Sequence, residues 1–260
     1  MPLVQPVAIT ITSEAHPDEC PVVLIHPLAA DQSIWHDVVA ALGARCVVTF
    51  DLPGHGRSVV PEAPWTMADL ADQLATLMDA EGYDRAHVAG MSLGGTAALQ
   101  FALDHPRRVA SIVAADCVPH YPDDVAAMLR SRADDARTSG MAAIADSVLE
   151  AWFTTNARQA TSEIVANARE RFLATPSEGY AMAVDALIGT DLRRLISRID
   201  CPTLLVCGRD DLPAMRDAAL SMAGEIRGSR LEWVPGAHAA PIEHSTDFAR
   251  LLADFVDSVR

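Results

Sequence analysis

The chain has 260 residues, half of them hydrophobic, which is enough to bury a large core and unlike the composition of disordered proteins. With 35 acidic against 20 basic residues it carries a formal charge of −15. That balance argues against nucleic-acid binding, which rests on clustered Lys and Arg, and the arginines here mix with acids, as in "MLRSRADDAR".

Taken in chain order, "VAITIT" (7–12) alternates apolar and polar residues and predicts an edge strand. The runs "PVVLIH" (21–26), "CVVTFD" (46–51), "AHVAGM" (86–91), "VASIVAAD" (109–116) and "TLLVCG" (203–208) are nearly continuously apolar. Such runs suit strands buried on both faces of a parallel sheet, and "LEWVPG" (231–236) reads as one more. A helix is expected over 66–82. Thr66 and Asp69 stand there at capping-box spacing, Leu70, Leu74, Leu77 and Met78 share a face, and Gly82 ends it. The C-terminal "STDFARLLADFVDSV" predicts a helix capped by Ser245 or Thr246, with Phe248, Leu251, Leu252 and Phe255 on one side. Strand–helix alternation of this kind predicts an α/β fold with a mostly parallel, doubly wound sheet.

From Pro119 to Gly189 the alternation stops. Ala-rich helical stretches broken at Gly140, "TPSEG" and Gly189 predict an insertion of about four helices. The expected organisation is a core of residues 1–118 and 190–260 with a helical lid, or cap, over 119–189. Cys20, Cys46, Cys117, Cys201 and Cys207 are odd in number and form no C-x-x-C pair, which predicts reduced, mostly buried thiols. The start of the chain lacks the basic and apolar regions of a signal peptide, and no apolar run approaches the ~20 residues of a membrane span. A cytoplasmic protein without membrane association is expected. The sequence carries no sign of its oligomeric state.

The stretch "VAGMSLGGTAAL" (88–99) carries G-x-S-x-G between a buried strand and an Ala/Leu helix. A nucleophile on so sharp a turn needs flanking residues without side chains, and the following helix directs its first N–H groups at developing negative charge. Ser92 is the candidate nucleophile; the competing reading is a serine that caps the helix. A serine needs a base, and the base an orienting acid. Of nine histidines, His238 stands on the loop after the last expected strand, in "WVPGAHAAPIEH". His16, His36, His87 and His105 read as surface or helix-end residues, His55 as part of a turn, His26 as the end of an early strand and His120 as the opening of the insertion. For the acid, "LLVCGRDDL" offers Asp211 and its neighbour Asp210, and Asp116 ends the strand beside the Ser92 turn. Asp211, three residues past Gly208, is favoured over the other two. Oxyanion donors are expected from the N–H of Leu93 and, since Pro27 has none, of Leu28. Without H-E-x-x-H, a Cys/His cluster or a Walker-type loop, neither a metal nor another cofactor is expected.

"HPLAADQSIWHDVVAAL", "FDLPGHGRS", "GMSLGG", "GRDD" and "GAHAAPIE" follow one another as in the α/β-hydrolase superfamily, which the chain resembles over nearly its whole length. Ser, Asp and His also come in that superfamily's order. In the insertion, "GMAAIADSVLEAWFT" and "FLATPSEGYAMAVDALIGTDLR" resemble the lid of 3-oxoadipate enol-lactonases of aromatic degradation. The resemblance implies attack by Ser92 on the carbonyl of a small-molecule ester or lactone, with His238 as base and Asp211 as its partner. It also leaves room for a carbon–carbon bond hydrolase, a cofactor-free perhydrolase or a slow ligand-binding homologue. His26, His120, Trp152 and Phe153 are the expected pocket residues, and Arg130, Arg132 and Arg137 the lid cations available to an anionic substrate. At His26-Pro27-Leu28-Ala29 the chain departs from the Asn-Ser-Leu-Gly-like turn of that group, which bears on its substrate.

Overall fold

The structure, a computed structural model, describes residues 8–12, 20–160 and 163–259. His16 and residue 7 of the expected edge strand therefore lie outside the described residues. Among the described residues, seven strands form one sheet: β1 (Ile9–Ile11), β2 (Val22–Ile25), β3 (Val47–Phe50), β4 (Ala86–Met91), β5 (Val109–Ala115), β6 (Thr203–Gly208) and β7 (Arg230–Val234). Their order is β1-β3-β2-β4-β5-β6-β7, and only β1 runs antiparallel to its neighbour. Every residue of β2 to β6 is buried, which is why these strands read as continuous apolar runs and not as alternating ones.

Helices cover both faces. They are α1 (His36–Leu42), α2 (Met67–Ala80), α3 (Leu93–Asp104), α9 (Pro213–Glu225), the short α10 (Ala240–Glu243) and α11 (Ser245–Ser258). Thr66 and Asp69 close the expected capping box on α2, Asp taking the place of the usual Glu. At the other end of the chain the expectation fails. Ser245 is the first residue of α11, its N-cap is His244, and no side chain caps it. The stripe of Phe248, Leu252 and Phe255 against the core holds that helix instead.

Between β5 and β6 lie five helices among the described residues, one more than expected: α4 (Asp123–Ser139), α5 (Ala142–Trp152), α6 (Thr155–Gln159), α7 (Glu163–Ala174) and α8 (Ser177–Ile188). The extra one, α6, is a single five-residue turn started by the Thr154 side chain, too short to leave a periodic pattern. A bridge between His120 and Asp191 closes the base of the insertion. His120 is thus part of a stem.

The chain leaves β2 for β3 on one side and returns to β4 on the other. This change of direction opens a crevice at the carboxyl ends of β2 and β4, where open α/β sheets bind ligands. The turns after β2, β4, β5, β6 and β7 all emerge at that edge, beneath the inserted helices.

Candidate active site

Four neighbouring strands each deliver one polar side chain to the carboxyl edge: Ser92 after β4, Asp116 after β5, Asp211 after β6 and His238 after β7. Ser92 sits at φ 54, ψ −115, a conformation that costs a non-glycine residue about 1–3 kcal/mol and persists only where the surroundings enforce it. They do so here. A Cβ on Gly90 would lie 2.2 Å from the Gly94 carbonyl, and one on Gly94 would lie 2.1 Å from the Ile25 carbonyl oxygen. The Ser92 N–H donates to Ala115 O at 2.8 Å, so the adjacent strand also holds the turn. Ser92 does not cap α3, because its side chain makes no bond to the helix's first N–H groups.

The Ser92 hydroxyl meets His238 Nε2 at 2.9 Å instead. On the other side of the ring, Nδ1 lies 3.1 and 3.2 Å from the two Asp211 carboxylate oxygens. Asp211 also accepts from the Leu212 N–H at 2.6 Å and is buried. Burial opposes the charge of His238, but the Asp211 carboxylate and its hydrogen bond outweigh it and hold the imidazole above its ordinary value. The other two acid candidates fall elsewhere. Asp210 is exposed, its N–H bound to Gly236 O. Asp116 is buried, and its Oδ1 accepts the Gly208 N–H at 2.7 Å.

A cavity of about 80 Å³ opens above Ser92 and His238. It is mainly apolar, with Trp152, Phe172 and Met215 in its wall and Leu28 beside the nucleophile. Two expected pocket residues are corrected in addition to His120. Phe153 is fully buried and packs against Trp152 without reaching the cavity. His26 is a strut beneath the turn that carries Leu28. Its Nδ1 donates to Pro27 O at 2.8 Å and its Nε2 accepts the Leu52 N–H at 2.9 Å, so the ring is neutral, and burial lowers its pKa. The "FDLPGHGRS" segment serves the same turn, for Asp51 accepts the N–H groups of Gln32 and Arg57. His87, expected near the surface, is buried in β4 and bonded to Ser111, because a central strand has no exposed face.

Tyr121 and Tyr180, both buried, were not foreseen as cavity residues. Burial raises the Tyr121 phenol above its ordinary value against a hydrogen bond with Ser92, and raises that of Tyr180 to about 12. No periodic or motif signal marks either one. The three arginines of the insertion part company. Arg137 is bound to Glu178, Arg130 is exposed, and Arg132 alone of the three lines the cavity. A larger groove of about 550 Å³ lies beside β1, but its central acids are engaged, Asp31 with Ser33 and Asp51 with backbone N–H groups.

A strand-to-helix turn holding a strained serine, bonded to a histidine that is bonded in turn to a buried carboxylate, is the arrangement of hydrolases built on a doubly wound sheet. The family model for the alpha/beta hydrolase fold matches residues 21–245, and the chain belongs to the α/β-hydrolase family. Among its relatives, 3-oxoadipate enol-lactonase 1 of Acinetobacter baylyi is 28% identical over 247 residues, covering 94% of this chain and 91% of that one. The enol-lactonase of Burkholderia xenovorans LB400 superposes with a TM-score of 0.91 at 32% identity, with 96% of each chain covered. A thermophilic esterase of Thermogutta terrifontis, solved with malate bound, superposes with a TM-score of 0.90 at 25% identity, covering 97% of this chain and 93% of the other. Among the described residues, no helix is long and apolar enough to cross a membrane.

Proposed function

We propose that the chain hydrolyses a small-molecule ester or lactone through an acyl-enzyme on Ser92. The observation that carries this reading is the unbroken series of contacts from the Ser92 hydroxyl through His238 to Asp211 on a strained turn. His238 Nε2 takes the hydroxyl proton as Oγ attacks the carbonyl carbon, and Asp211 stabilises the imidazolium that forms. The oxyanion is received by the N–H groups of Leu93 and Leu28. Leu93 is the first residue of α3, so its N–H has no partner within the helix. Collapse of the tetrahedral intermediate passes the proton from His238 to the leaving oxygen. In a lactone that oxygen stays tethered to the acyl group. Water activated by His238 then releases the acid. No step calls for a cofactor.

Residues 119–189 act as a lid over this site. A cavity of about 80 Å³ accommodates an acyl group of a few heavy atoms, so larger substrates require the insertion to shift. Arg132 in an otherwise mainly apolar wall favours substrates that carry a carboxylate away from the scissile bond. The names of the relatives, which include enol-lactonases and an esterase, support the same reaction class.

The test is p-nitrophenyl acetate hydrolysis together with stoichiometric labelling of Ser92 by a fluorophosphonate. A folded protein that takes no label overturns the nucleophile assignment. Turnover of enol-lactones and simple aryl esters at equal kcat/KM would confine the proposal to a general esterase.

A further inference from the structure

Beneath the Ser92–His238–Asp211 series lies a second buried carboxyl group for which the proposed hydrolysis has no use. Asp116 leaves β5 at φ 45, a left-handed conformation that a non-glycine side chain adopts only under constraint. The constraint is visible. Its N–H donates to Val206 O at 2.9 Å, and its Oδ1 accepts the Gly208 N–H at 2.7 Å. Both partners belong to β6, and Gly208 begins the turn that ends at Asp211. Asp116 therefore pins the loop on which Asp211 is mounted. Its other oxygen, Oδ2, is buried and accepts no N–H or O–H donor.

The Asp116 and Asp211 carboxyl groups approach within 4.8 Å of each other, with Cys207 at similar range. Two ionised carboxylates so close in an enclosed site repel strongly, so one of them retains a proton. Asp211 is the better anion, since it accepts from the Leu212 N–H and from His238 Nδ1. Asp116 has a single N–H donor, and burial, followed by the Asp211 charge, pushes its pKa well above the ordinary carboxyl range. The groups facing it are Asp211, His238, Cys207 on β6 and its own neighbour Cys117. Burial raises both thiols, which keeps them neutral at physiological pH.

We propose that Asp116 is a positioning residue held as the un-ionised acid: its Oδ1 anchors the turn bearing Asp211, and the proton on Oδ2 is donated to the Asp211 carboxylate, orienting it on His238 Nδ1. This rests on the assignment of Asp211 as the partner of His238. Asp116 touches no substrate and transfers no proton in the reaction.

The decisive comparison is Asp116→Asn with Asp116→Ala, assayed with p-nitrophenyl acetate across the pH range. Asn keeps an oxygen for the Gly208 N–H and an N–H donor in place of the acid proton, whereas Ala keeps neither. The expected result is kcat within about 3-fold of wild type for Asn and about 10- to 100-fold lower for Ala, with KM unchanged, the effect of one charge-assisted hydrogen bond. The pH at which activity falls on the acid side stays put in Asp116→Asn. An ionised Asp116 would add to the negative charge on His238, so a shift of that limb to lower pH in the Asn variant overturns the proposal. Equal loss of kcat in both variants overturns it too. Should the Ala variant fail to fold, infrared spectroscopy of the wild type at neutral pH remains. The carbonyl band of an un-ionised carboxylic acid, absent from Asp116→Asn, is expected, and its absence from the wild type refutes the idea. Fluorophosphonate labelling of Ser92 in the same samples reports separately on the hydrolase reading.

Discussion

Two glycines mark the contrast between the carboxyl edge of the sheet and the helices above it. A Cβ on Gly94, at the start of α3, would sit 2.1 Å from a backbone oxygen of β2, whereas one on Gly140, between α4 and α5, would meet nothing within 4 Å. At the edge, backbone touches backbone, the side chains of Ser92, His238 and Asp211 are hydrogen-bonded in series, and that of Asp116 is bonded to the end of β6. In the insertion, α4, α5 and α8 pack through Ala, Leu, Ile and Val, residues that exchange with little loss so long as volume is kept. The insertion meets the rest of the molecule at a few points. Gly179 abuts the Gly54 backbone, Thr154 bonds Glu243 beside the His238 loop, and Ala239 N–H donates to Trp152 O at 2.8 Å. On the proposed function, chemistry is thus built on the rigid part, and substrate choice on the part that tolerates change.

Experiments can break this division, beginning with the largest effect. Ser92→Ala is expected to lower kcat by about 10⁵-fold or more while leaving the melting temperature nearly unchanged. A comparable kcat loss from a substitution in the insertion such as Trp152→Ala would show that chemistry is not confined to the edge. Asp211→Asn should cost about 10⁴-fold in kcat, since His238 loses both its orientation and its counter-charge. The pH profile supplies the sign. With His238 as the proposed base, working as neutral imidazole, kcat/KM is expected to fall as pH drops through its pKa. In the wild type the midpoint lies above the ordinary value of about 6.5 because of Asp211. In Asp211→Asn, where burial acts unopposed, it moves to lower pH, and Asp210→Asn leaves it in place.

Gly94→Ala forces a methyl group into backbone and should destabilise the fold by about 3 kcal/mol or more, as measured by urea unfolding. Arg132→Leu sharpens the comparison from the other region. The ratio of kcat/KM for p-nitrophenyl hemisuccinate over p-nitrophenyl butyrate should fall about 10-fold, with the neutral ester unaffected. An unchanged ratio would mean that Arg132 does not read the carboxylate. The smallest effect belongs to Gly140→Ala. There only the positive φ is strained, and the same unfolding assay should register about 1 kcal/mol with kcat intact.

Much of the edge was legible because its signals are local. Continuous apolar runs mark strands with no exposed face, and glycines at Gly90 and Gly94 mark a turn with no room beside Ser92. The insertion left a weaker trace, since helices of Ala and Leu show their periodicity but not their number, and a one-turn helix such as α6 shows neither. The histidines were the hardest to read. His26 and His238 both follow strands of the sheet, yet one props a turn through two backbone bonds and the other faces the serine.

What the sequence by itself determined is the sheet, the sharp turn at Ser92 and the chain order of serine, acid and histidine, because each depends on neighbours within a few residues. Which aspartate meets His238, which arginine of the insertion lines the cavity and that Asp116 lies under Asp211 were decided only by the tertiary structure. Asp210 and Asp211 differ by one position in sequence, but one points to solvent and the other into the site. That choice is made where β4, β5, β6 and β7 lie side by side, so that residues up to 146 positions apart come within 3 Å.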